Sequence, residues 1–144
     1  MKLNFKKPQG LTLPVKLFKL LNAEIVKSAI AIASHNALTF NFRDTDYSAI
    51  SGGYHPVEIR VERIGNNHKP DYWQLVYITD FSYQGAPYPE LVKEVDVCFV
   101  NQRVYSLYGG NLSNYQGQAL LSLFISNFIE YHTMDTYEVS ISFD

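Results

Sequence analysis

Between Leu38 and Gly85 the chain carries three runs in which apolar and polar residues alternate. Leu38–Arg43 sets Leu38, Phe40 and Phe42 against Thr39, Asn41 and Arg43. Val57–Glu62 sets Val57, Ile59 and Val61 against Glu58, Arg60 and Glu62. Trp73–Tyr83 places Trp73, Leu75, Tyr77, Phe81 and Tyr83 on one face with Thr79, and Val76 and Ile78 on the other. A period of two is the mark of a β-strand. The three runs are read as adjacent antiparallel strands, the third of them central and covered on both faces.

The flanking segments follow a different period. Phe18, Leu21, Ile25, Ala29 and Ile32 recur at three- and four-residue steps after Pro14, which predicts a helix over 14–33. Ser113 with Gln116 three residues on forms a capping-box signature, opening a second helix over 114–132. Its stripe is Leu121, Phe124, Ile125, Phe128, Ile129 and His132. Val95–Val100 and Arg103–Tyr108 read as a hairpin across Asn101-Gln102, and Gly65–Pro70 reads as a hairpin loop. Gln84–Lys93, with Gly85, Pro87 and Pro89, reads as a connector. Tyr137–Phe143 alternates again and predicts a last strand at or beside the sheet centre. Residues 1–12 form a tail or a short edge strand. This order implies one α+β domain over 1–144, with a mainly antiparallel sheet of five to six strands and two flanking helices. Its predicted core is Trp73, Leu75, Tyr77, Phe40, Phe42, Ile59, Val139 and Ile141.

Composition narrows the function classes. A length of 144 residues suits one domain, and 47% hydrophobic with 18% charged residues is globular. The formal net charge of −2 gives no bulk drive towards nucleic acid or anionic lipid. Lys2, Lys6, Lys7, Lys16 and Lys19 read as solvated surface. Lys16, Lys19, Glu24 and Lys27 interrupt the apolar stretch Leu13–Ala33 too often for a membrane span. The first ten residues hold no secretory apolar segment, so a cytoplasmic location is expected. The one cysteine, Cys98, lies in an apolar run and reads as an inert thiol.

Candidate chemistry gathers in the loop from Asp44 to Pro56. Asp44-x-Asp46-x-Ser48 begins like a calcium loop, but Ala49 and His55 stand where glycine and glutamate are needed. An Asx-type turn is the favoured reading. No two histidines have a metal-ligand spacing, so no metal or cofactor is expected. His55 with a neighbouring carboxylate is the minimum for acid–base work, although a histidine bonded within its own loop is the commoner case. Asp80 reads either as a carboxylate in a sheet-lined pocket or, more readily, as a partner of Arg60 across the ladder. Gly109-Gly110 before a helix is a weak phosphate signal. Antiparallel pairing carries His55, at the start of the second strand, towards Phe81–Tyr83 at the end of the third. The candidate binding residues are therefore Asp44, Asp46, Tyr54, His55, Asp80, Ser82 and Tyr83, with none assigned as catalytic.

Phe40–Asp44, Tyr47-Ser48, Gly52–Arg60, Tyr77–Gly85 and Tyr108–Gly110 closely resemble the bacterial domain-of-unknown-function 2787 family. That family has no assigned activity, so the resemblance carries over no functional residues. It implies a curved sheet cradling a helix, of the cystatin or nuclear-transport-factor-2 type. Two functions are kept. The first is a non-enzymatic binding or protein-interaction module, its partner a protein or a second copy of itself, resting on abundant Tyr and Phe and no assembled catalytic motif. The alternative is a small acid–base enzyme or small-ligand binder with a sheet-lined pocket near His55 and Asp80. A deep pocket holding two or more ionisable groups favours the alternative, and a filled core with a flat aromatic patch favours the first. Nucleic acid ranks last as a partner.

Overall fold

The structure is a computed structural model that describes residues 2–65 and 72–143. Helix α1 (Val15–Ser28) precedes strands β1 (Ala37–Arg43), β2 (Val57–Ile64), β3 (Tyr72–Gln84), β4 (Glu90–Cys98), β5 (Arg103–Ser106) and β6 (Gly110–Asn111). Helix α2 (Asn114–Thr133) and strand β7 (Glu138–Phe143) complete the order. The strands form one antiparallel sheet, β6-β5-β4-β3-β2-β1-β7. It is curved and does not close, which makes the fold α+β. No helix among the described residues is long and apolar enough to cross a membrane.

Antiparallel register turns the sequence alternation into rows across the sheet. Ile141, Phe40, Ile59, Ile78, Val97 and Val104 are successive partners in one row. Val139, Phe42, Val57, Asp80, Val95 and Ser106 form the next. Most of these side chains share one core with Leu17, Leu21 and Ile25 of α1 and Leu121, Ile125 and Phe128 of α2. Phe42 meets Phe128 edge to face at 4.9 Å. Gly117 of α2 lies so close to β5 that a Cβ there would stand 3.1 Å from Val104, so glycine sets that approach.

Several expectations change. α1 stops at Ser28 because Ala29 takes a left-handed φ of 56° and donates its N–H to the Val26 carbonyl. Ile32–Ser34 is a separate 3-10 turn, held by Arg63, whose guanidinium donates to the Ile32 and His35 carbonyls. The same guanidinium lies 4.7 Å from the Trp73 ring centroid. β4 begins at Glu90, inside the segment read as a connector, and the two-residue β6 brings the sheet to seven strands. β7 lies outside β1 at the sheet edge, not at its centre. Val139 and Ile141 are accordingly only half-buried. Gly65–Pro70 falls mostly outside the described residues, and so does His68.

The largest difference is in β3. Arg60 pairs with Tyr77 but Val61 with Leu75, so Val76 is an extra residue, a β-bulge. Beyond it the faces exchange. Trp73 and Leu75 face the helices, and so do Ile78, Asp80 and Ser82. Tyr77, Thr79, Phe81 and Tyr83 take the outer face. Among the described residues that face carries no helix and is tiled by polar contacts, with Tyr77 donating to Glu58 and Thr79 to Asp96. The N-terminal segment adds to the sheet at one end, where Trp73 N–H donates to the Asn4 carbonyl at 2.7 Å and Lys6 N–H to the Trp73 carbonyl at 2.9 Å.

Phe42 is fully buried between sheet and α2. Phe42→Ala is expected to cost about 3–5 kcal/mol in denaturant unfolding, the usual loss for an emptied aromatic site. A loss under about 1 kcal/mol would mean that this contact does not anchor α2.

Candidate functional site

The loop from Asp44 to Pro56 is built around one carboxylate. Asp44 Oδ1 accepts the Asp46 N–H and Oδ2 accepts the Tyr54 N–H, each at 3.0 Å. The Asp46 contact closes the Asx turn expected from the sequence, and the Asp44 carbonyl accepts the Tyr47 N–H in a backbone turn over it. Gly53 has φ of 130°, and a Cβ there would stand 2.8 Å from Asp44 Oδ2. Only glycine fits without moving that carboxylate. Ser48 and Gly52 exchange backbone hydrogen bonds and leave Ile50 fully exposed at the tip. The returning chain reaches the sheet at Pro56, whose carbonyl accepts the Phe81 N–H at 3.0 Å.

This return delivers His55 to Asp80. His55 Nδ1 lies 3.0 Å from Asp80 Oδ2 and 3.2 Å from Glu94 Oε2. Asp80 is buried in an otherwise mostly apolar row, and its other oxygen accepts the Val95 N–H at 2.7 Å. A second bulge supports this arrangement. Asp80 pairs with Val95 but Phe81 with Lys93, so Glu94 is the extra residue and comes within reach of His55. The hydrogen bond with Asp80 raises the His55 pKa; partial burial opposes it, and the charges of Asp80 and Glu94 add to it.

Beside this cluster a cleft of about 300 Å³ opens between α2 and the sheet. His55, Asp80 and Val57 line it from the sheet, Leu123, Phe124 and Tyr131 from α2. Tyr54 packs against Tyr131 at 4.5 Å between ring centroids. Tyr137 also lines the cleft, and burial drives its hydroxyl pKa well above the ordinary tyrosine value.

The sequence candidates therefore divide. His55 and Asp80 meet, and Tyr54 joins them on the cleft. Asp44 shapes the loop from within. Asp46 is exposed, and its carbonyl accepts the Ser51 hydroxyl. Ser82 is buried and accepts a hydrogen bond from Gln84, away from the cleft. Tyr83 lies on the opposite face of β3 from Asp80, where its ring stacks on Tyr47 and its N–H donates to the Tyr47 hydroxyl. The Asp80–Arg60 pairing is not formed, because Arg60 lies on the outer face while Asp80 faces the helices. His55 bonds across to β3 and β4, not within its own loop.

Sequence reasoning missed Glu94, Tyr131 and Tyr137. Glu94 is placed by a bulge that no residue type announced. Leu120, Phe124 and Tyr131 stand at helical spacing on α2, a second stripe beside the core one, and that signal was readable. His132 also has a role beyond closing its helix. Its Nε2 is 2.8 Å from Oε1 of buried Glu24, which ties α2 to α1.

Residues 15–142 match the family described as "Protein of unknown function (DUF2787)". The chain belongs to this family. It is also similar to two solved structures from Vibrio cholerae. One is the hypothetical protein VC0508 of the VSP-II pathogenicity island, 35% identical, covering 99% of this chain and 100% of that one, with a TM-score of 0.88. The other is the conserved hypothetical protein VC1805 of pathogenicity island VPI-2, 31% identical, covering 96% of this chain and 99% of that one, with a TM-score of 0.75. VC1805 is described as sharing structural homology with the human P32 protein. No curated protein matches the chain.

Asp80→Ala strands the Val95 N–H and is expected to cost about 1–3 kcal/mol of unfolding free energy. His55→Gln tests the pair through pH. The folded-state pKa of His55 lies above its unfolded value, so its contribution is fully present below about pH 6.5 and is lost as pH rises through the folded value. The gap between wild-type and His55→Gln stability should shrink across that window in denaturant melts. A gap that widens with rising pH would contradict the pairing.

Proposed function

We propose that the protein is a non-enzymatic binding module and that its binding site is the cleft between α2 and the sheet. The observation that carries this reading is the cleft itself. It has an aromatic and aliphatic wall from Tyr54, Leu123, Phe124 and Tyr131, and a few polar groups where His55 meets Asp80. Binding sites commonly combine apolar lining with a small number of placed polar groups. A volume of about 300 Å³ is at the small end of ligand pockets, enough for one large side chain or a small ligand and too little for an extended cofactor. The likeness of VC1805 to human P32 is a hint in the same direction, towards an interaction module.

The core is not filled at this point and two ionisable groups, His55 and Asp80, line the cleft, which by the concavity criterion favours the second reading, a small acid–base enzyme or small-ligand binder. His55 is oriented through Nδ1 by two carboxylates and lines a concave pocket, as a general acid or base would. No positioned nucleophile or oxyanion-type donor pair accompanies it among the described contacts, so binding remains the better supported function.

Leu123 is 61% exposed on the cleft rim, so Leu123→Arg should leave folding within about 0.5 kcal/mol while filling the cleft mouth. Peptides selected from a random display library on the wild-type protein are expected to shift the amide resonances of Tyr54, Asn127 and Tyr131. They are expected to lose at least tenfold in affinity for Leu123→Arg. Selected peptides that map elsewhere, or bind the variant equally, would refute the assignment.

A further inference from the structure

We propose that His55, Asp80 and Glu94 form a binding site for a divalent transition-metal ion, for which Zn²⁺ is the probe. The three residues lie far apart in sequence and are brought together by the loop return and the bulge at Glu94. Each offers one donor atom, and the donors all lie within 4.8 Å of one another. Nδ1 of His55 stands 3.0 and 3.2 Å from the two carboxylate oxygens. A tetrahedral ion with bonds of about 2.0–2.1 Å needs donors about 3.3 Å apart; the two histidine–carboxylate separations are already close to that, and the two carboxylate oxygens lie within 4.8 Å of each other. One imidazole nitrogen with two carboxylate oxygens suits Zn²⁺, with Mn²⁺ served less well by the imidazole.

Charge points the same way. A single N–H on Nδ1 can be donated well to only one of the two oxygens that face it. With a protonated imidazole, two carboxylates still leave one net negative charge at a partly buried site. A dication with neutral imidazole leaves none. Asp80 is held as outer-shell support would hold a ligand: its second oxygen accepts the Val95 N–H at 2.7 Å, which turns Oδ2 towards His55. The donors come from β3, β4 and a loop end pinned to β3, so the site is preorganised. The cleft beside His55 and Asp80 leaves a side from which water or a partner's donor group can complete the coordination. The inference stands on these three donors and does not depend on the peptide-binding reading.

The test is calorimetric titration of the untagged, chelator-treated protein with Zn²⁺, and with Mn²⁺ and Mg²⁺ for comparison. One equivalent of Zn²⁺ is expected to bind with Zn²⁺ preferred over Mg²⁺ by at least a hundredfold, and to raise the melting temperature reversibly on chelation. Glu94→Gln and His55→Gln are each expected to weaken binding at least tenfold. Glu94 is half-exposed and its variant keeps the His55–Asp80 contact, so circular dichroism of Glu94→Gln separates lost binding from lost fold. Co²⁺ substitution should give a ligand-field spectrum of four-coordinate type that both variants lose. No Zn²⁺ uptake by the wild type, or equal uptake by folded variants, would overturn the proposal. Zn²⁺ uptake with no peptide binding would sustain it while removing the peptide reading, and the converse would remove this one alone.

Discussion

One extra residue, Val76, decides what the sheet presents to its helices. A strand of thirteen residues with strict alternation would send Tyr77, Thr79, Phe81 and Tyr83 to the face that Trp73 and Leu75 occupy. The bulge resets the parity half-way along β3. Ile78 then completes the apolar row with Ile59 and Val97, and Asp80 and Ser82 turn inward after it. Bulges re-aim side chains in this way at functional positions in many sheets. Here the consequence is a carboxylate in the middle of the sheet's core face, and the rest of the site is arranged to accommodate it.

A buried carboxylate is costly unless it is hydrogen-bonded or paired. Asp80 receives both kinds of partner, a backbone N–H from Val95 and the imidazole of His55. The second bulge, at Glu94, gives that imidazole a second carboxylate contact. The outer face solves an easier problem. Its polar groups pair along the ladder, with Arg60 donating to Thr39 and Tyr77 to Glu58. Burial, and then the neighbouring Glu58 acceptor, push the Tyr77 hydroxyl pKa up to about 12. That tyrosine therefore stays a neutral donor across the ordinary pH range. The outer face is thus a hydrogen-bonded surface that needs no helix over it, whereas the inner face needs both helices.

The sequence made β1, β2, α2 and the family legible because their patterns are local. Ser113 caps α2 as its residue type implied, accepting the Gln116 N–H. It also placed His55 near the end of β3, since antiparallel pairing alone requires it. What it could not show was set by non-local geometry. A bulge leaves a strand's composition unchanged, so Val76 and Glu94 looked like ordinary strand or connector residues. Ala29 ended α1 without a glycine to mark the turn. β7 carries the alternation of a central strand yet sits at an edge, beyond β1. Glu94 entered the site by a register shift, and its identity as an acid gave no hint of that.

The same carboxylate explains why the core has a cleft at all. α2 is drawn tight to the sheet at Gly117 against Val104 and packed by Phe128 against Phe42 further along. Between these points the row beneath it runs Val57, Asp80, Val95 and Ser106. Asp80 and Phe124 both line the space that opens over this row. Asp80 is turned aside to His55, and the space is left unfilled and is walled by Tyr54, Tyr131 and Leu123. Native cores rarely keep voids larger than a water molecule, because each one forfeits packing energy. The polar cluster and the cleft are one feature of the fold, because His55 and Asp80 belong to both.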